Sequence, residues 1–366
     1  MVILTSPLLA EQYAFTLQNV EVALSYLLLV VVMLFIVKAI YKKKYIYFLI
    51  TPFLILVFGT YQSFYLMYIT LSIIYYLDNY NDKLKMKDQI KIISIYVIIL
   101  VVYGILTIFA GNIINDILGI EATGYLTGQM NWFNGNFVRG ILYCGYYGVK
   151  VLLGIGIDDN LGFTILLFII LFYLKKEGKK ESLIYKISLV ALMFSPFLIS
   201  VLFGTVTFSR AQFSIPIIMA YLYGKFFKKK NVAIIFGCIV FSQVISTIYL
   251  FNIDLERYNN DVKLVSYISS LDNEDDLPII FINKVDYERI VTGEVLGKTF
   301  YNWDYKGERL SNDRIAGIMK AVGVNYTVPT LEQINEVKEN SDLYKELVNY
   351  NDSYIVINLE MYNDYS

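Results

Sequence analysis

"FGTYQSFY", residues 58–65, breaks one of the most apolar stretches of this chain. Lys44 is followed by 33 residues without a charge, Tyr45 to Leu77, and Gly59, Thr60, Tyr61, Gln62 and Ser63 sit in their middle. As one helix the run would be about 50 Å long, far beyond the ~30 Å of a bilayer's hydrocarbon core. Basic residues bound it on both sides, Lys38 to Lys44 before it and Lys83 to Lys91 after it. The positive-inside rule puts both clusters in the cytoplasm, so the run crosses twice. Two short helices turning at Gly59-Thr60 satisfy the charges and bring Tyr61, Gln62 and Ser63 near the outer surface. Two readings fit the polar groups there. They cap helix ends, whose backbone groups lack partners in lipid, or they also hold a ligand, as polar residues in spans often do.

The composition agrees with the membrane class. Of 366 residues 57% are hydrophobic and 17% charged, against roughly 25% charged in a soluble domain; the mean hydropathy is +0.53. The net charge of −1 hides a segregation: residues 1–254 carry 20 Lys/Arg against 12 Asp/Glu, and residues 255–366 carry 11 against 20. Residues 1–254 are therefore read as a transmembrane helical domain and 255–366 as a polar domain with a core of its own. The chain has no histidine, which removes imidazole bases and His-ligated metals. Cys144 and Cys238 stand far apart in apolar surroundings and read as packing residues. No cleavable signal peptide is visible, since Glu11 precedes the first long apolar run and no basic region leads it.

Uncharged runs occur at 22–37, 45–77, 92–110, 160–174, 187–203, 211–224 and 231–251. Four basic clusters, Lys38–Lys44, Lys83–Lys91, Lys175–Lys186 and Lys225–Lys230, hold 17 of the 20 basic residues of the membrane part. With all four in the cytoplasm the chain makes eight crossings. Residues 111–159 then form an outer loop and an interfacial helix, because a crossing by 138–157, with its five glycines, Arg139 and Lys150, would carry the Lys175 cluster outside. Residues 255–366 fall outside the membrane. The expected fold is thus a polytopic α-helical membrane protein with a small extracytoplasmic α/β domain, in the bacterial cytoplasmic membrane. Met1 starts outside, so "MVILTSPLLAEQYAF" reads as an internal outer loop rather than a native start.

In the polar part "LPIIFIN" (277–283) and "YIVINL" (354–359) read as buried strands. Val262, Val265 and Ile268 recur at helical spacing, Ser311 is placed to cap a helix to about Ala321, and "TLEQ" (330–333) is a capping box opening a helix through Val337. No Gly-rich phosphate loop follows a strand, and no nucleic-acid partner is expected.

"GTYQSFY" in a membrane hairpin, followed in the tail by "LPIIFIN…GKTFYNWD…SNDRI…VGVNYTVPTLEQI", resembles the serotype-converting GtrII-type glucosyltransferases. The resemblance begins at "SPLLAEQYAF". It implies a GT-C-like enzyme that moves a glucosyl unit from an undecaprenyl-phosphate donor to a cell-surface polysaccharide such as O-antigen. It also implies further helices before residue 1, including an outer loop with the catalytic acid, so no catalytic base transfers to this sequence.

A lipid-phosphate donor needs cations at the outer headgroup level, where a bidentate Arg suits phosphate. Only Arg139, Lys150 and Arg210 escape the cytoplasmic clusters in the membrane part. Arg210, in "GTVTFSRAQF", is the first choice for the donor phosphate, with Arg139, Tyr61 and Gln62 beside it; a snorkelling interfacial arginine is the alternative for both arginines. Asp158-Asp159 is the candidate catalytic pair, placed to activate an acceptor hydroxyl or hold a divalent cation, or else simply to end a helix in solvent. No metal ligands are assigned, and a divalent cation is the one cofactor this reading leaves open. Trp132, Trp303 and Asp304 are candidate sugar contacts, though interfacial anchoring accounts for Trp132 and core packing for Trp303. The competing functions are a surface-polysaccharide polymerase and a transporter or flippase of lipid-linked sugars. A transporter would carry internal repeats and buried mid-membrane charges.

Overall fold

The computed structural model describes residues 6–9, 19–81, 83–119, 132, 137–153, 161–176, 181–204, 211–226, 230–271, 276–285, 299–302, 308–321, 323 and 327–364. The chain divides into two compact units, residues 1–247 and 248–366. The division falls inside one helix, a little before the boundary expected from charge.

In the first unit α1 (Asn19–Tyr41) is followed by a 3-10 segment, Tyr45–Phe53, which continues into α2 (Leu54–Thr60). Pro52 explains the tight winding. It has no N–H to offer the Phe48 carbonyl, and the Thr51 hydroxyl donates to that carbonyl instead at 2.7 Å. A 3-10 helix rises faster than an α-helix, so the 16 residues Tyr45–Thr60 extend to about 28 Å, near a bilayer's core. The segment runs antiparallel to α1. Tyr47 meets Phe35 at 5.2 Å between ring centroids, and Ser25 Oγ donates to Thr60 Oγ1 at 2.9 Å.

At Tyr61 the backbone is extended (φ −156°, ψ 127°), and α3 (Ser63–Asp78) starts two residues later. The chain reverses here. Phe58 stacks on Tyr65 at 4.2 Å and meets Tyr68 edge-on at 5.9 Å, whereas in a straight helix positions 58 and 68 stand about 15 Å apart. The hairpin expected from the "GTYQS" interruption is present. α4 (Met86–Leu118) returns antiparallel to α3, with Tyr68 Oη on Tyr96 O at 3.1 Å and Tyr76 Oη on Gln89 Oε1 at 2.8 Å. It runs on through 111–118, where a loop was expected, and ends at Gly119 in the left-handed region (φ 63°), the usual conformation of a helix-stopping glycine.

Next come α5 (Phe137–Leu153), α6 (Leu161–Lys176) and α7 (Leu183–Phe194), then a Ser195-Pro196-Phe197 turn into α8 (Leu198–Phe203). They are followed by α9 (Ser214–Phe226) and α10 (Lys230–Ser269). Three of the four basic clusters meet at one end of this unit. Ser182 Oγ donates to Gln89 Oε1 at 2.9 Å, and Lys225 Nζ donates to Leu77 O at 3.2 Å and lies 5.3 Å from the Tyr185 ring. Tyr61, Thr60 and Ser25 lie at the other end. Val20–Tyr41, Met86–Leu118, Leu183–Phe203 and Gly237–Ser269 are four helices long and apolar enough to cross a membrane, and Tyr45–Thr60 and Gly162–Lys175 are shorter apolar ones. Their outward residues are themselves apolar, among them Leu24, Leu27, Ile98, Val101, Phe168, Phe172 and Phe241, all exposed, which suits lipid and not water.

The second unit holds a three-stranded sheet in the order β1-β3-β2, with β1 (Ile279–Ile282) parallel and β2 (Val348–Tyr350) antiparallel to β3 (Ile355–Asn358). β1 and β3 are buried at every position because both faces of the sheet are covered. Ile279, Phe281, Ile355 and Ile357 pack on Leu264 and Ile268 of α10 and on Ile315 and Met319 of α11 (Asn312–Ala321). Ile280, Ile282 and Val356 pack on Ile334 and Val337 of α12 (Leu331–Glu339). α12 opens with the capping box of Thr330 and Gln333. α11 starts where Ser311 was expected to cap it, but the Ser311 hydroxyl is buried without a hydrogen bond among the described residues. Buried Asp261 takes bonds from Thr299 Oγ1 at 2.8 Å and Arg257 Nη1 at 3.2 Å, which satisfies a carboxylate that burial alone would disfavour.

Candidate functional site

The polar residues of the hairpin turn divide between helix closure and side chains left over. Thr60 Oγ1 donates to Leu56 O at 2.8 Å, tying down the last turn of α2. Backbone bonds from Phe64 N to Tyr61 O (3.0 Å) and Tyr65 N to Gln62 O (3.1 Å) close the link into α3. Gln62 makes no side-chain bond to the start of α3, so its amide is not spent on capping. Tyr61, half-buried, faces Phe213 at 6.0 Å between centroids. The same Phe213 meets Tyr26 at 5.4 Å and Phe64 at 6.0 Å. α1, the turn and the segment leading into α9 thus converge on one aromatic cluster at the end of the unit away from the basic residues.

Ala211, Gln212, Phe213 and Ser214 are all buried, and Phe213 is the member of this cluster. Gln212 and Ser214 escaped the sequence reading, which took 211–224 as an ordinary span. The available signal was "SRAQFS" (209–214), a short polar string ahead of Pro216 in an apolar run.

A second assembly forms around Trp132. Its indole N–H donates to Val201 O at 2.7 Å, satisfying one of the carbonyls that the C-terminus of α8 leaves open. The ring fits against two glycines. A methyl group added at Gly140 would stand 2.8 Å from it, and one at Gly204, where φ is +64°, 2.9 Å. The Cys144 thiol donates to Ser200 O at 3.0 Å and Tyr147 meets Phe197 at 6.0 Å, so α5 is fastened along α8. Arg139, one turn along α5, is exposed; its Nε donates to the Tyr143 hydroxyl at 2.7 Å and its guanidinium lies 5.1 Å from that ring. The outward face of α5 carries Phe137, Val138, Ile141, Leu142, Tyr146 and Val149. A helix with that stripe and a flanking arginine suits a membrane interface.

Packing of Trp132 on Gly140 has a measurable consequence. Gly140→Ala overpacks the contact and is expected to destabilise by about 1–3 kcal/mol. Trp132→Phe in the same chain relieves the clash, so thermal unfolding should give a coupling energy above about 0.5 kcal/mol. Strictly additive costs would place the indole elsewhere.

Of the other sequence candidates, Asp158, Asp159, Arg210, Trp303 and Asp304 lie outside the described residues. Among the described residues no group of three or more acidic, cysteine or histidine side chains is placed to hold a metal ion. The structure brings Tyr61 together with Phe213, and brings Trp132 together with the helix of Arg139.

The sequence profile of the family described as glucosyl transferase GtrII matches residues 1–227. This chain belongs to the GtrII glucosyl transferase family. The matched residues include the Tyr61 hairpin, the Trp132–α5–α8 assembly and the whole of α9, and they stop before the second unit. The tail segments that resemble the family, from "LPIIFIN" to "TLEQI", fall beyond them. No curated protein and no solved structure matches the chain.

Proposed function

We propose that this chain is a GT-C-like membrane glycosyltransferase that moves a hexosyl unit, glucosyl by family, from undecaprenyl phosphate to a surface polysaccharide such as O-antigen. Transfer takes place on the outer face of the bacterial cytoplasmic membrane. The observation that carries the reading is the family match across the membrane unit, where the Tyr61 turn and residues 211–214 share the end opposite the basic clusters. In this reading the chain crosses eight times and residues 255–366 are extracytoplasmic. Arg210 holds the lipid phosphate with Arg139, Tyr61 and Gln62 in support. Trp132, Trp303 and Asp304 contact sugar, and Asp158 or Asp159 acts on the acceptor hydroxyl or a divalent cation.

Two experiments test it. The full-length protein, reconstituted in vesicles with polyprenyl-phosphate glucose and a lipid-linked or soluble polysaccharide acceptor, is expected to transfer glucose; transfer of none would defeat the proposal. For topology, Tyr125→Cys and Tyr305→Cys, in a background with Cys144 and Cys238 replaced by Ser, should react with an impermeant thiol reagent on intact cells, and Gly178→Cys should not. Labelling at 178 with protection at 305 would invert the membrane orientation and remove every outer-face assignment.

A further inference from the structure

Gln212 is 0% exposed, yet among the described residues neither its amide nitrogen nor its amide oxygen has a hydrogen-bond partner. Two residues on, Ser214 is 1% exposed and its hydroxyl is equally unpaired. Buried polar atoms are almost always bonded, because stripping them of water without replacement is costly. Three unpaired atoms within three residues therefore mark a place where a partner is missing. The backbone does not explain them, since the Gln212 carbonyl is already engaged by Ile215 N at 3.2 Å. Phe213, between the two residues in sequence, packs against Tyr61, Tyr26 and Phe64.

We infer that Gln212 and Ser214 bind hydroxyl groups of the hexosyl unit on the lipid-linked donor; the assignment rests on the donor reading above. The chemistry of the unpaired atoms separates a sugar from a phosphate. A phosphate oxygen only accepts, so it would leave the Gln212 amide oxygen unpaired and repelled. A hexose hydroxyl donates and accepts together, and a vicinal pair satisfies both amide atoms at once. The rings of Tyr61 and Phe213 give the C–H face of a sugar an apolar surface. Both polar residues are closed off in this conformation, so the sugar enters with a rotation of side chains at this end of the unit. Such a closed site excludes water around the transferring group.

The test compares two lipids on the full-length protein in detergent: polyprenyl phosphate bearing glucose and the same polyprenyl phosphate without sugar. Wild type should be stabilised by both, and further by the glucose-bearing lipid. Gln212→Met removes the unpaired amide and keeps the volume, so the unliganded protein should unfold at the same or a higher temperature. It should keep the shift given by the bare lipid phosphate and lose the increment given by glucose. In transfer assays the donor KM should rise about tenfold or more with the acceptor KM unchanged. Ser214→Ala should lose part of the same increment. Gln212→Asn, which keeps the amide on a shorter arm, serves if the methionine variant does not fold, and should also lose most of it. A full glucose increment in the Gln212 variants would mean that water alone satisfies the amide, and loss of both shifts would assign it to the phosphate; either overturns the inference. No response of wild type to either lipid would instead sink the donor reading itself.

Discussion

Arg210→Ala is expected to cut sugar transfer by about 100-fold or more while the protein still inserts at wild-type abundance. In the proposed reading the removed group is a forked donor to the lipid phosphate. Each hydrogen bond to a charged group contributes roughly 1.5–3 kcal/mol, and a tenfold change in rate or affinity is about 1.4 kcal/mol, so loss of a bidentate pair accounts for that factor. Arg210→Lys should fall between the two, because an ammonium keeps the charge but not the fork. A snorkelling anchor makes a different prediction: lysine would replace arginine fully, and alanine would lower membrane abundance rather than turnover. Wild-type turnover in the alanine variant at equal abundance would remove Arg210 from the site. The buried cluster at Gln212–Ser214, directly after it, makes the comparison sharper, since changes there should act on the sugar increment and changes at Arg210 on the lipid phosphate.

The largest effect on stability is expected in the second unit, from Asn312→Ala. Asn312 is 0% exposed, and its side chain bonds the outward edge of β1. Oδ1 accepts from Phe281 N at 2.8 Å, and Nδ2 donates to Phe281 O at 3.3 Å and to Arg309 O at 3.0 Å. Among the described residues β1 pairs with β3 alone, and Phe281 turns its N–H and C=O to this amide. Truncation removes these bonds from buried groups, at roughly 1–3 kcal/mol for each bond lost. The expected result is a fall of about 10 °C or more in the unfolding temperature of this unit, with the first unit's transition unmoved. Asn312→Asp should be no better, because a carboxylate then faces two carbonyl oxygens. A shift of less than about 2 °C in the alanine variant would show that the strand edge is paired some other way.

Helices and strands were legible where the physics is local. The turn at Tyr61 followed from a polar string in an apolar run held between two basic clusters, because a single helix of that length fits no bilayer. The capping box at Thr330 and Gln333 lies within four consecutive residues. β1 and β3 could be read because continuous apolar runs of strand length signal a sheet covered on both faces. Lengths were harder. α10 runs from Lys230 to Ser269 although its apolar pattern fades after residue 251, since backbone hydrogen bonds carry a helix on regardless of what solvates its side chains. α4 likewise outran its apolar run until Gly119 supplied the left-handed residue that stops it.

What the sequence by itself determined about this protein is its class: a helical membrane unit reversed at Tyr61, with basic loops gathered at one end and the GtrII resemblance. What only the tertiary structure decided is which polar groups are already used. Trp132 finds its acceptor 69 residues away at Val201, Asn312 finds its strand 31 residues away at Phe281, and Gln212 finds none among the described residues. Helices are set by bonds between residues three or four apart and buried strands show as short apolar runs, and sequence records both. A side chain's partner is set by packing between distant segments, so an engaged amide and an orphaned one look identical in a string of letters.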